Sequence, residues 1–123
     1  MSYTITLSTN KKYINLKVIG DITRDSAMKQ NIEAHAYGRG LGINKFLVDL
    51  TESRNVDSVT NNYQFAYEDM HSPDFDRHAK VAFLVSAGDH SHDFVETLAF
   101  NAGLDIKIFT DRSLAEIHLL LDS

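Results

Sequence analysis

The segment Val56-Asp57-Ser58 combines residue type and position in the way most suited to chemistry. It follows the apolar run Phe46-Leu47-Val48-Asp49-Leu50 and the polar stretch Thr51-Glu52-Ser53-Arg54-Asn55, and it precedes a segment with helical periodicity. A hydroxyl there sits at the carboxyl edge of a sheet beside a helix N-terminus, where free N–H groups and the helix dipole favour anions. The position suits a phosphorylatable Ser58 or a docked acidic group, and it also suits a plain N-cap. A phosphate would add roughly 1.5–2 negative charges. Asp49, Glu52 and Asp57 would oppose that charge if close, and Arg54 would offset it. Glu52, Arg54, Asp57 and Ser58 therefore form the candidate partner-binding or phosphoacceptor set.

Asp89-His90-Ser91-His92-Asp93 is the densest group of metal-capable side chains. Two His residues two apart can reach one metal from a loop, with Asp89 or Asp93 supplying further ligands, since zinc takes three or four. The same residues open a helix, where Asp and Ser serve as caps. His90 and His92 are thus weak metal candidates, and no metal site is expected. Acid–base work by either would need an orienting partner. The chain has no Walker loop, GxGxxG, GxSxG or HExxH. Gly38-Arg39-Gly40-Leu41-Gly42 follows a helix and precedes a strand, the reverse of a phosphate loop. No catalytic residue and no cofactor are expected.

The aromatic residues Tyr63, Tyr67 and Phe94 fit buried helical stripes, whereas Phe65 and Phe100 fall off them. Phe75 lies in the polar loop of residues 71–78, which would suit a lid or a contact with a membrane surface. Tyr63, Phe65, Phe75 and Phe100 are the candidates for an apolar ligand site or an interface, including a homodimer through an apolar helix face.

These residues need elements to hold them. Residues 3–7 and 13–19 alternate and read as an antiparallel hairpin, ended by Gly20-Asp21. Thr23 would cap a helix over residues 25–37, with Gly38, Gly40 and Gly42 breaking it. Strands follow at 45–50, 80–85 and 104–109. Helices follow at 58–70 and 93–102, and a last one runs to 121 behind the capping box Ser113-Leu114-Ala115-Glu116. The order β-β-α-β-α-β-α-β-α predicts an α/β fold: one mixed sheet of about five strands with a parallel core and right-handed crossovers. Ligands of such sheets bind beyond the carboxyl ends of the strands, here residues 49–58, 86–93 and 110–113.

Bulk composition agrees with a single domain over residues 1–123. The chain has no cysteine, which excludes disulfides, thiol catalysis and Cys-based zinc sites. Its net charge of −5 argues against nucleic-acid binding. With no signal-type N-terminus and no long apolar span, a cytoplasmic protein is expected, at most peripheral at the inner membrane surface.

The hairpin, Gly20-Asp21-Ile22-Thr23, Phe46-Leu47-Val48-Asp49-Leu50-Thr51 and Val56-Asp57-Ser58 together resemble the STAS superfamily. The likeness is greatest to its SpoIIAA-like group, through Ala79-Lys80-Val81-Ala82-Phe83-Leu84-Val85, Phe109-Thr110-Asp111 and Ala115-Glu116. It covers nearly the whole chain. It implies a non-enzymatic regulatory module that binds a protein partner, as anti-sigma factor antagonists do, switched by phosphorylation of Ser58. Val59 and Thr60 stand where that family's motif has a second hydroxyl and a Gly. The group is also similar to CRAL-TRIO lipid-binding domains, which implies the alternative of a carrier or sensor for a small apolar ligand, with membrane association.

Overall fold

The computed structural model describes residues 2–58, 60–61, 64, 78–93, 96 and 105–121. The chain opens with an antiparallel hairpin. Strand β1 (Ser2–Leu7) pairs with β2 (Ile14–Ile22), from Ser2 opposite Ile19 to Leu7 opposite Ile14. Alternation decides the faces: Tyr3, Ile5 and Leu7 turn inward while Thr4 and Thr6 stay exposed. The turn is held by Ser8, whose Oγ accepts the Lys12 and Tyr13 N–H groups at 3.1 and 3.2 Å. β2 runs past the expected Gly20-Asp21 stop, because its far end still has β3 to pair with.

Helix α1 (Arg24–Leu41) begins at Thr23, which forms a capping box with Ser26. Of the three glycines expected to break it, only Gly42 does. It adopts φ 71°, and Ile43 N–H closes on the Gly38 carbonyl at 2.9 Å. Gly38 lies inside the helix for a packing reason. A Cβ there would sit 2.6 Å from the Ile43 carbonyl oxygen and 3.0 Å from Phe46 Cζ. One turn earlier, His35 stacks on Phe46 with centroids 4.3 Å apart.

Strands β3 (Lys45–Asn55), β4 (Lys80–Leu84) and β5 (Asp105–Phe109) complete a five-stranded sheet in the order β1-β2-β3-β4-β5. Every pairing after the hairpin is parallel. β3 is longer than the expected 45–50. Lys17 faces Asp49 but Ile19 faces Glu52, so β3 carries an extra residue there, a bulge that no alternation pattern reveals.

Helix α2 (Arg112–Leu120) packs on the opposite face from α1. Asp111, not Ser113, is its N-cap. The Asp111 carboxylate accepts Ser113 and Leu114 N–H at 2.8 and 3.3 Å, which leaves Ser113 inside the first turn and removes the expected Ser113–Glu116 box. Among the described residues, the α1 side holds the larger core, including Leu16, Val18, Phe46, Val48 and Phe83. The α2 side holds Tyr13, Leu47, Ala82, Leu84, Ala115 and Leu119. The expected helices at 58–70 and 93–102 fall mostly outside the described residues; Thr60, Asn61, Gln64, Asp93 and Glu96 are helical.

Candidate functional site

β3 delivers Asp57 and Ser58 to the start of α1. Val56 N–H bonds the Ile22 carbonyl at 3.0 Å, the last rung between β2 and the end of β3. Asn55 Oδ1 then accepts Asp57 N–H at 3.0 Å and turns the chain. Asp57 Oδ2 accepts the Arg24 N–H at 2.6 Å, while its Oδ1 accepts Ser58 N–H at 2.8 Å and the Asn61 side-chain amide at 2.7 Å. The Arg24 N–H, then the Asn61 amide and the Ser58 N–H, hold the Asp57 carboxyl below its ordinary range. Ser58 is exposed, and its Oγ accepts the Asn61 N–H at 3.0 Å. Asp57 thus ties the first turn of α1 to the helical residues after Ser58. Arg24 was invisible as a site residue in the sequence. The Thr23 cap was its one signal, since that cap places Arg24 at a helix start beside the neighbouring parallel strand.

The other two members of the expected set point elsewhere. After the bulge Glu52 turns to Lys17, with Nζ and Oε2 2.7 Å apart. Lys17 also feels Asp49 and Arg112, so Glu52 belongs to the charged cluster beside α2. Asp49 is 6 % exposed. It accepts Thr51 N–H and hydroxyl at 3.0 and 2.7 Å and the Arg112 guanidinium at 3.1 Å. Burial pushes the Asp49 carboxyl up, but the Thr51 donors together with Arg112 and Lys17 outweigh it and bring it below its usual value. Arg54 is exposed, and its charge acts on Asp89.

The two histidines of the loop at 89–93 diverge. His90 is outside, its side chain 78 % exposed, with Nδ1 2.8 Å from Asp93. His92 is 3 % exposed; its Nε2 lies 3.9 Å from Asp89 and has no hydrogen-bond partner among the described residues. Burial, opposed by Asp89 and the Ser53 backbone, lowers the His92 pKa. Its surroundings explain why it is inside. β4 ends opposite Asp49, so among the described residues the end of β3 has no strand on that side. The loop supplies side chains instead: Ser86 donates to the Thr51 carbonyl at 2.8 Å, Ser91 accepts the Asn55 N–H at 3.1 Å, and His92 bonds the Ser53 backbone. His90 and His92, the weak candidates for a shared metal, are therefore one solvent residue and one buried strut. Among the described residues, no three His, Cys, Asp or Glu side chains are grouped to hold a metal.

His92 also borders a cleft of about 40 Å³ floored by Leu16, Val48 and Phe83 and rimmed by Arg24 and Asn55. That is room for water-sized guests, far below the roughly 300–1,000 Å³ of a small-molecule pocket. Tyr63, Phe65, Phe75 and Phe100, expected to form an apolar site, lie outside the described residues.

No family model matches the chain, and no curated protein does. Solved structures do. An uncharacterized protein of the DUF3478 family with a SpoIIAA-like fold, from Shewanella loihica PV-4, is similar at 19% identity and a TM-score of 0.56, over 96% of this chain and 92% of that one. The anti-sigma factor antagonist SpoIIAA in its unphosphorylated form is similar at 7% identity and a TM-score of 0.54, over 98% and 100% of the two chains. At such identities the likeness is one of architecture, and it agrees with the single mixed five-stranded sheet. The chain has a SpoIIAA-like fold.

Proposed function

We propose that the chain is a non-enzymatic regulatory module that binds a protein partner, and that Ser58 is its switch. One observation carries the reading: an exposed serine hydroxyl beside a carboxylate that fastens the first turn of α1. A phosphate on Ser58 would place roughly 1.5–2 charges next to Asp57. Like charges at that range repel, and the phosphate oxygens compete for the Asn61 and Arg24 N–H groups that Asp57 and Ser58 now hold. Modification would therefore loosen the start of α1 from the end of β3, changing the surface a partner meets.

The test is phosphopeptide mapping of the protein isolated from its own cells across growth conditions. A phosphate on the peptide containing Ser58 supports the switch; an unmodified peptide under every condition sinks it. Co-purification with Ser58→Ala and Ser58→Asp variants tests the partner: a protein retained by the first and lost by the second is the expected result.

A cytoplasmic site of action fits this reading. Among the described residues, no helix is long and apolar enough to cross a membrane. The alternative of an apolar-ligand carrier turns on Tyr63, Phe65, Phe75 and Phe100, which lie outside the described residues.

A further inference from the structure

The two edges of the sheet are protected differently. β5 carries the exposed charges Asp105 and Lys107, and its Ile108 N–H is taken up by the Glu96 carboxylate at 2.7 Å. Charges and occupied amides along an edge are common means of refusing a further strand. β1 has neither. Its residues Ser2, Tyr3, Thr4, Ile5, Thr6 and Leu7 are uncharged, include no proline and pair with β2 without a bulge. Among the described residues, β2 is its one sheet neighbour. Its outer backbone groups form a template for another strand.

Charge and register select the occupant. Lys11 and Lys12 are exposed in the turn just past the end of β1. Glu33 lies over its beginning, where it accepts the Tyr3 hydroxyl at 2.8 Å. Asp21 is exposed at that same end, two residues past Ile19, the partner of Ser2. An antiparallel strand from a second copy reverses this order. The lysines of each copy then approach the carboxylates of the other, twice across a two-fold axis. A parallel strand would instead set like charges together.

The side chains agree with the antiparallel arrangement. With Ile5 opposite Ile5 of the second copy, Thr4 faces Thr6 and Tyr3 faces Leu7. Threonine pairs form on one face and apolar pairs on the other, both favourable across strands. Tyr3, Ile5 and Leu7 are only partly buried in the monomer, so the contact adds cover to an existing core. The net charge of −5 opposes random approach of two copies. An uncharged strip with complementary ends is where that opposition is least.

We infer that the β1 edge pairs antiparallel with β1 of a second copy, joining two five-stranded sheets into one. This goes beyond the regulatory reading and does not depend on Ser58. The test is sedimentation velocity of the full chain from micromolar to millimolar concentration, for wild type and for the double variant Thr4→Lys/Thr6→Lys. Both threonines are exposed, so the monomer fold is retained, as thermal unfolding at low concentration checks. The expected result is a wild-type dimer that weakens with salt and a variant that has lost it. A wild type monomeric throughout overturns the inference. So does a dimer that survives both lysines, or one abolished by Ile117→Lys alone, which would move the contact to α2. Should the paired lysines unfold the chain, Lys11→Glu/Lys12→Glu gives an independent reading: a weakened dimer supports the edge contact, and an unchanged one overturns it.

Discussion

Among the described residues, the two faces of the sheet are built to different depths. On the α1 side, buried residues from four strands meet a helix brought close by Gly38 and by the His35–Phe46 stack. On the α2 side, a short helix seats Ala115 and Leu119 on Leu47, Ala82 and Leu84, and turns Leu114, Ile117, Leu120 and Leu121 outward at 43–58 % exposure. The difference separates two uses of apolar residues. Those on the first face are fixed by neighbours on every side. Many on the second are held on one side only, so the same residue types contribute much less to stability there.

The largest effect that could break this contrast is cavity formation. Leu16 and Leu47 are 1 % and 0 % exposed and lie on opposite faces. Leu16→Ala is expected to cost about 4 kcal/mol and Leu47→Ala about 2 kcal/mol, because α2 can settle into the vacated space more readily than the α1 side can. Chemical denaturation of both variants measures this, and equal costs would refute the contrast.

Next in size is the close approach of α1. Gly38→Ala drives a Cβ against the Ile43 carbonyl oxygen and is expected to cost about 1–3 kcal/mol. Gly40→Ala meets nothing within 4 Å and should gain about 0.5–1 kcal/mol. Thermal unfolding should show shifts of opposite sign.

Acid tests both faces together. His92 on the α1 side and His118 on the α2 side are each lowered, with burial the first cause; Lys80 adds to it for His118. A lowered base binds its proton more readily unfolded than folded. The stability it contributes is therefore present above the ordinary value of 6.5 and lost as pH falls through the folded value. Melting temperature should decline below about pH 6.5. The decline should flatten partly in His92→Gln and further when His118→Gln is added; identical profiles would count against both. The smallest expected effect is that of Ile117→Lys, within about 0.5 kcal/mol of wild type. A larger loss by the same denaturation measurement would mean that the outer face of α2 is packed after all.

What the sequence revealed follows from what is local. The alternation of residues 3–7 and 13–19 and the apolar run at 80–85 are period-two and buried-strand signals, and those strands are present. Thr23 as a cap was also legible, because an N-cap is set by the residues just after it. The extension of β3 to Asn55 was not, because Thr51, Glu52 and Arg54 are polar and their strand geometry comes from β2 alongside. The bulge that sends Glu52 to Lys17 is likewise a property of two strands, not one. Nor could sequence order show that Asp57 fastens the distant Arg24 N–H, or that His90 and His92 take opposite sides of one loop.

The side chains that stand in for a strand beside the end of β3 have a kinetic consequence. A backbone ladder zips cooperatively, whereas Ser86, Ser91 and His92 each hold one point and each can release alone. Residues 51–55 should therefore exchange their amide hydrogens through a local opening of lower free energy than that which exposes residues 45–50, where β4 continues the ladder. The strand that leads to Ser58 should thus be rigid at its root and independently releasable at its tip.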